Sequence, residues 1–341
     1  MHQPTLYRTL GVEEPSRDRS TVEEDALEVV DLFCGLGGFS EGARRAGCKV
    51  VLAVDSDPYA LETYQRNHRD ATHICTELPR ATLPFPPKQR RWHLHCSPPC
   101  QPFSKINKKA RPEQQHARAC CLVEWCVELA LSCGCTSWSI EQVAQTKVLE
   151  IMHRKRLESG GLFSFAVVDF ELLGVPQTRK RLIAGTHSLV ERLLAESRVQ
   201  PRAAIRDVIP APRGTLVRGT ATGVGQRLKK NVASGEARYS YRRAQWSDLC
   251  RRLDEPAPTV VGRHALTWIT GRGERVNRSV LTPRELGLLQ TLGSDYWLPQ
   301  SRTRAYLQVG NCFPPLVAQL MLERRAPPER PDSPSWEYAC G

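Results

Sequence analysis

The chain has 341 residues, 40% of them hydrophobic and 25% charged, which is ordinary for a globular protein with one large domain or two unequal ones. No stretch approaches the roughly 18 apolar residues of a membrane span. Residues 1–28 have mixed charge and do not resemble a secretory signal, so neither membrane insertion nor secretion is expected. The formal net charge of +12 indicates a polyanionic partner.

The 13 cysteines are scattered and odd in number. Without a secretory signal they are expected to be reduced thiols in an intracellular protein rather than a disulfide framework. Cys96 with Cys100 and Cys133 with Cys135 lack the two-residue-spaced pairs of a zinc ribbon. No metal site is therefore predicted.

The first elements along the chain predict a nucleotide-binding unit. An apolar strand at 29–33 ends in the glycine turn 34–40, and a helix at 41–46, a strand at 49–54 and a helix at 58–67 follow. Asp57 is a plausible N-cap of that last helix. Asp55 ends the second strand, where an acid can bind ribose hydroxyls. This order opens a doubly wound, mostly parallel sheet of the Rossmann-like type and indicates an adenosine cofactor, although a tight turn without ligand would show the same glycines.

The following elements bring polar residues to the same edge of the predicted sheet. A strand at 92–96 leads into a rigid loop in which Pro98 and Pro99 precede Cys100. After a helix at 117–132, the strand 137–140 ends at Glu141. A helix at 145–158 and strands at 163–169 and 182–185 complete the unit. Because carboxyl ends of parallel strands line one crevice, Cys100 and Glu141 are expected there together.

The remainder predicts a second part of different character. From 187 to 275 the alternation of strands and helices fades and the sequence becomes basic. Thr282 opens a helix with a capping box, and a glycine-proline turn at 308–315 leads into a last helix at 316–324. The predicted organisation is a flexible leader at 1–27, a catalytic domain at 28–186, a small irregular domain at 187–275, a return to the catalytic domain at 276–325, and a disordered tail at 326–341.

With these motifs in order, the sequence resembles the cytosine-5 DNA methyltransferase family from about Val29 to Leu322. The resemblance rests on six motifs in the family's order: DLFCGLGGFSEG at 31–42, VDSDPYA at 54–60, SPPCQPFS at 97–104, EQV at 141–143, QTRKRL at 177–182, and LTPREL at 281–286 with QVGNCFPP at 308–315. It implies a DNA (cytosine-5)-methyltransferase, with residues 187–275 as the target-recognition domain.

The resemblance also implies S-adenosylmethionine as the cofactor. The residues it assigns to cofactor binding are Asp31, Phe33, Gly35, Gly37, Gly38, Asp55, Ser56, Pro98, Asn311 and Phe313. Asp55 would bind the ribose, and Asn311 and Phe313 would lie near the methionine part. Two positions depart from the family. His73 stands where an acid usually contacts the adenine, and Gln142 stands where an asparagine usually follows the catalytic glutamate.

Four residues carry the catalytic chemistry in this interpretation. The Cys100 thiolate would add to carbon 6 of cytosine and so activate carbon 5. Glu141 would hydrogen-bond the nitrogen edge of the base, and Arg179 and Arg181 would orient the glutamate, the base or a phosphate. The target base must leave the duplex, and the basic region would bind the DNA phosphates. The acceptor of the carbon-5 proton is not identified.

Two other functions compete with this interpretation. A tRNA cytosine-5 methyltransferase would use the same catalytic residues, and SPPCQPFS is closer to that branch, but its Cys-Phe-Thr stretch is missing. RNA is therefore kept as a second substrate class. An inactive DNA-binding regulator usually lacks the cysteine or the acid, and both Cys100 and Glu141 are present. A monomer is expected, in the nucleus of a eukaryote or the cytoplasm of a bacterium.

Overall fold

The computed structural model describes residues 26–99, 113–209, 216–220, 238–241, 251–262, 266–272 and 275–323. The predicted nucleophile Cys100 lies outside the described residues. So do residues 1–25 of the predicted leader and the whole predicted tail at 326–341.

A seven-stranded sheet forms the centre of the protein. Its strands are β1 (Glu28–Leu32), β2 (Lys49–Asp55), β3 (Thr72–Cys75), β4 (Trp92–Cys96), β5 (Ser137–Gln142), β6 (Ser164–Asp169) and β7 (Lys180–Gly185). They lie in the order β3-β2-β1-β4-β5-β7-β6, and β7 alone is antiparallel to its neighbours. This confirms the predicted Rossmann-like methyltransferase fold. The strand order reverses between β1 and β4, where open sheets of this kind form their ligand crevice.

Helices cover both faces of this sheet. They are α1 (Gly38–Arg45), α2 (Pro58–Asn67), α3 (Glu113–Ser132), α4 (Thr146–Glu158), α5 (His187–Val199), α6 (Ile205–Val208), α7 (Pro283–Leu289), α8 (Arg302–Asn311) and α9 (Pro315–Leu322), with a 3-10 turn at Phe170–Leu173. Adjacent residues of β1 enter opposite cores: Val30 packs with α3 and α4, and Val29 packs with α1, α5 and α9. No helix in the described ranges is both long and apolar enough to cross a membrane.

A second, antiparallel sheet has four of its five strands within the region predicted to recognise the target. Its strands are β8 (Leu216–Thr220), β9 (Arg238–Tyr241), β10 (Arg251–Arg252), β11 (Leu266–Arg272) and β12 (Arg275–Val280), in the order β10-β9-β11-β12-β8. The predicted boundaries at 187 and 275 differ from this arrangement. Helix α5 packs against the first sheet through Leu189 and Leu193, and β12 continues to Val280.

Capping residues set several helix ends as the sequence predicts. Asp57 accepts a hydrogen bond from the Tyr59 N–H at 2.9 Å, and Thr282 forms a reciprocal capping box with Glu285. The turn predicted at 308–315 begins later than expected, because residues 308–311 are the last turn of α8. Gly310 and Asn311 are typical of turns, so the sequence did not predict this helix. Its apolar face contains the buried residues Ala305 and Val309. Strand β3 is a further element that was not predicted.

Replacing Gly310 is expected to destabilise the fold. A Cβ atom at Gly310 would lie 1.9 Å from the Gly262 nitrogen and 2.3 Å from the Val261 carbonyl carbon, and backbone atoms cannot rotate aside. Gly310→Ala should therefore lower the free energy of unfolding in urea by about 2–3 kcal/mol. Gly287→Ala is the matched control, because its nearest atom is a Leu292 methyl at 3.5 Å. That helical site should gain up to about 1 kcal/mol. Equal effects of the two substitutions would contradict the close backbone contact.

Candidate active site

The glycine turn after β1 brings the backbone close to its neighbours. Phe33, Gly35 and Gly37 all have positive φ angles, of 60°, 55° and 98°. A Cβ atom on Gly37 would lie 2.7 Å from the His68 ring, and one on Gly38 would lie 2.1 Å from the Phe313 carbonyl oxygen. The predicted cofactor residues of the glycine turn and of the segment after α8 are therefore packed against each other.

Asp55 connects the end of β2 to this turn. Its Oδ2 accepts a hydrogen bond from the Gly35 N–H at 2.8 Å, and its Oδ1 accepts one from the Asp57 N–H at 2.9 Å. Burial raises the pKa of Asp55, and these backbone hydrogen bonds oppose the rise. Each carboxylate oxygen keeps a lone pair that can accept from a hydroxyl group.

Asp31 places a buried carboxyl below the glycine turn. It is 1% exposed, and its Oδ2 accepts a 2.7 Å hydrogen bond from the Ser40 hydroxyl. The Tyr64 hydroxyl donates in turn to Ser40 at 2.9 Å. Asp31 Oδ1 has no hydrogen-bond partner among the described residues. Burial raises the pKa of Asp31 to about 7. A cationic donor at Oδ1 would supply the missing hydrogen bond and lower the pKa, since a nearby positive charge favours the ionised carboxylate.

The start of the predicted catalytic loop is attached to two strands. The Ser97 N–H donates to the Leu32 carbonyl of β1 at 3.1 Å. The buried Pro98 carbonyl accepts a 3.1 Å hydrogen bond from Gln142 Nε2, while Gln142 Oε1 accepts from the Val143 N–H at 2.8 Å. The glutamine that departs from the family pattern therefore contacts the loop directly.

Glu141 and Arg181 form an ion pair at the carboxyl end of β5. Arg181 Nε lies 2.7 Å from Glu141 Oε1, and the two side chains are only 12% and 13% exposed. They meet because β7 pairs with β5 in antiparallel register, with Glu141 opposite Ile183. The structure thus brings together two of the predicted catalytic residues, next to the Gln142 contact with the loop.

Arg179, two residues before Arg181, contacts backbone carbonyls of two other segments. Its Nη1 donates to the Val260 carbonyl at 3.1 Å, and its Nη2 donates to the Cys312 carbonyl at 3.2 Å. It is 4% exposed and joins the chain before β7 to the segment 251–262 and to the turn after α8. These contacts do not test the expectation that Arg179 orients Glu141, the base or a phosphate, which stays a prediction. Its contacts are those of a residue that fixes the backbone around the site.

The other predicted positions vary in exposure. Ser56 and Asn311 are exposed, at the end of β2 and in the last turn of α8. Phe313 is buried, with its ring edge-on to Phe39 at 5.5 Å. His73, where an adenine-contacting acid was expected, is an exposed residue of β3.

Sequence reasoning missed a buried polar group beside this site. Two histidines of β4 and two serines of β5 alternate with apolar residues and hydrogen-bond one another below the Ser97 loop. The pattern His-x-His in one strand and Ser-x-Ser in the next could have indicated it. The cross-strand register that joins them is not visible in a single sequence.

Comparison with known families agrees with these motifs. The profile described as "C-5 cytosine-specific DNA methylase" matches residues 27–125 and 140–325, which is most of the chain. The chain belongs to this family. The cytosine-5 methylase resemblance predicted from the six motifs is thereby confirmed, and the protein is a DNA methyltransferase by family.

Two proteins similar to this methylase are type II methyltransferases of bacteria. "Type II methyltransferase M.HgiDI" of Herpetosiphon aurantiacus is 27% identical over 308 residues, covering 84% of this chain and 90% of the relative. "Type II methyltransferase M.NlaX" of Neisseria lactamica is 24% identical, covering 86% of this chain and 94% of the relative. The alignments therefore extend over nearly the whole of each relative.

Solved structures share the fold of this methylase. A putative DNA modification methyltransferase encoded within a prophage of E. coli superimposes with a TM-score of 0.61 and 20% identity, covering 87% of this chain and 98% of that structure. The Dnmt2 methyltransferase of S. pombe superimposes with a TM-score of 0.55 and 14% identity, over 87% and 97% of the two chains. At these identities the likeness supports the fold.

Proposed function

We propose that this methylase transfers a methyl group from S-adenosylmethionine to carbon 5 of cytosine in DNA through a covalent adduct with Cys100. The observation that carries the proposal is the nearly buried Glu141–Arg181 pair at the rim of the sheet, beside a loop start that Gln142 fixes. A carboxyl group held by a guanidinium is suited to a defined hydrogen-bonding edge such as that of a pyrimidine.

The residues of the glycine turn fit S-adenosylmethionine. That molecule supplies an electrophilic methyl group on a sulfonium and carries an ammonium group. Asp31 Oδ1, buried and without a partner in the described ranges, suits the ammonium group. Asp55 has lone pairs for the ribose hydroxyls, and Phe33, Gly35 and Gly37 allow close approach of the backbone. In this proposal the adenine has no contact with an acid, because His73 stands at the position where the family usually has one. Ser56, Pro98, Asn311 and Phe313 complete the cofactor site.

The chemistry then requires three actions from this chain. The Cys100 thiolate forms a bond to carbon 6, and the displaced electron pair makes carbon 5 nucleophilic. Glu141, held by Arg181, hydrogen-bonds the nitrogen-3 edge and stabilises the charge moved onto the ring. Carbon 5 would take the methyl group as the donor's sulfur leaves with the bonding electrons. A base would then accept the carbon-5 proton, the carbon 5–hydrogen electrons would form the 5,6 double bond, and the carbon 6–sulfur electrons would leave with Cys100.

The second sheet is the proposed DNA-binding part. Its strands carry several arginines, at positions 218, 238, 251, 252, 272, 275 and 278. Phosphate contacts by such residues would offset the few kcal/mol that removing a base from the stack costs. The target-recognition domain is therefore proposed to follow α5 and to extend through β12.

Labelled methyl transfer tests this proposal. Purified protein, isotopically labelled S-adenosylmethionine and mixed-sequence duplex DNA are incubated, and methylated cytosines are mapped at base resolution. Methylation of carbon 5 in a defined sequence context is expected, with no transfer by Cys100→Ala. A parallel reaction uses tRNA. Transfer to tRNA alone, or undiminished transfer by Cys100→Ala, would overturn the proposal.

A further inference from the structure

A continuous row of hydrogen-bonded side chains runs along the paired strands β4 and β5, below the active site. From the amino end of β5 to the Cys100 loop it consists of Ser137, His93, Ser139, His95 and Ser97, which we call the Ser–His file. The successive distances are 2.8 Å, 2.9 Å, 2.8 Å and 2.7 Å. Both histidines and Ser139 are fully buried. The register of β4 and β5 produces the file, because His93 lies opposite Ser137 and His95 opposite Ser139.

Burial keeps both imidazoles neutral. It lowers the pKa of His93 to about 3 and that of His95 well below its usual value. A neutral imidazole has one N–H and one acceptor nitrogen, and a hydroxyl has one proton. Ser139 lies between His93 Nε2 and His95 Nδ1. When its proton is used within the file, Ser139 donates to one ring and accepts from the other, and the tautomer of one histidine then determines the tautomer of the other.

The upper end of the file meets three segments of the active site. His95 Nε2 bonds the Ser97 hydroxyl, three residues before Cys100. The His95 ring stacks on Phe39, the residue after the Gly37-Gly38 turn, with ring centroids 3.5 Å apart and planes at 2°. The ring of Phe313 stands edge-on to His95 at 5.1 Å. One side chain thus contacts the catalytic-loop start, the glycine-turn helix and the segment after α8.

We propose that His95 is a positioning residue for methyl transfer, which holds Ser97 and the cofactor turn in fixed relation through the Ser–His file. The inference rests on the proposed function, since it assigns the cofactor and the nucleophile to the segments that His95 joins. Apolar residues would fill this interior without needing hydrogen bonds. A fully satisfied polar chain instead fixes one arrangement, because any displacement leaves buried groups unpaired.

Two amide substitutions at His95 distinguish the hydrogen bond made by Nε2 from the one made by Nδ1. The amide of Gln lies near the position of Nε2 and can still bond Ser97, whereas the amide of Asn lies near Nδ1 and can still bond Ser139. Both lose the stack on Phe39 equally. The single-turnover rate of methyl transfer, at saturating DNA and S-adenosylmethionine, is expected to fall roughly tenfold or more in His95→Asn and Ser97→Ala. His95→Gln should keep a rate at least several-fold above that of His95→Asn.

The chain offers a matched control for the loss of a serine–histidine bond. Ser164 Oγ lies 2.7 Å from Nδ1 of the exposed His187, at the amino end of β6. Ser164→Ala removes this bond and should leave the single-turnover rate unchanged. Equal rates in His95→Asn and His95→Gln would overturn the proposal, as would wild-type rates in Ser97→Ala beside an inactive Cys100→Ala.

Amide hydrogen exchange of the protein alone separates the inference from the proposed function. Exchange at Ser97 and Cys100 should be faster in His95→Asn than in His95→Gln. If the wild type transfers no methyl group, the proposed function fails, and this comparison still decides the positioning role. Identical exchange in the two variants would count against it.

Discussion

Replacing Glu141 by glutamine is expected to lower the rate of methyl transfer by roughly 10²–10⁴-fold, the range associated with a positioned acid or base. The glutamine has almost the same shape, but it removes the charge that Arg181 meets at 2.7 Å and the ability to exchange a proton with the base. The rate should fall in single-turnover reactions, while the affinity for S-adenosylmethionine, measured by calorimetry, should change little.

Glu171→Gln is the control for this substitution. Glu171 is 14% exposed and pairs with Arg202 at 3.1 Å, so its ion pair resembles that of Glu141 but lies in the 3-10 turn after β6. Its loss should leave the rate within about twofold, as for a surface pair worth less than about 1 kcal/mol. A Glu141→Gln protein with more than a tenth of the wild-type rate would remove Glu141 from the mechanism.

Features that depend on neighbours along the chain were predictable from the sequence. The glycine turn, the Asp57 cap and the Thr282 capping box each involve residues fewer than ten positions apart. Both caps occur as predicted, whereas the glycine turn is shorter than predicted because α1 already begins at Gly38. The meeting of Glu141 with Arg181 was predicted only through the resemblance. In the structure it depends on β7 entering the sheet in antiparallel orientation between β5 and β6, which no local pattern specifies.

Features that depend on contacts between distant segments were not predictable. Arg179 and Arg181 have the same chemistry two residues apart, and strand alternation would place both on one face. Arg179, however, lies just before β7, and its guanidinium donates hydrogen bonds to the carbonyls of Val260 and Cys312. Gln142 is a similar case: its departure from the family pattern left the loop geometry open, and only the structure shows that its longer side chain reaches the Pro98 carbonyl.

The free energy of unfolding is expected to fall as the protein is acidified, because three buried histidines are neutral in the fold. Burial lowers the pKa of His68 to about 4 and that of His93 to about 3, and it lowers the pKa of His95 strongly. The unfolded chain binds these protons near pH 6.5, whereas the folded chain does so only at much lower pH. Their stabilisation is therefore complete above about pH 6.5 and is lost as the pH falls below it.

Asp31 changes the free energy of unfolding in the opposite direction on acidification. Its pKa of about 7 exceeds that of an unfolded aspartate, so Asp31 destabilises the fold at neutral pH and does so less on acidification. From about pH 7.5 to pH 5 the three histidines should together lower the free energy of unfolding by about 6 kcal/mol, and Asp31 should raise it by about 2–3 kcal/mol. These four groups together then lower the free energy of unfolding by about 3–4 kcal/mol, measurable by urea titration at each pH. The raised pKa of Asp55 makes the decrease smaller.

The dependence on pH, rather than the stability at any one pH, identifies the groups responsible. His68 bonds the Tyr296 hydroxyl at 3.0 Å, away from the Ser–His file. Near pH 5 the three histidines take up about three protons on unfolding and Asp31 releases about one. His68→Phe should therefore lower the net uptake from about two protons to about one, whatever its stability at neutral pH. His187→Asn, at an exposed site, should leave that number unchanged. Stability that stays constant or rises on acidification would contradict the neutral state of the three buried imidazoles.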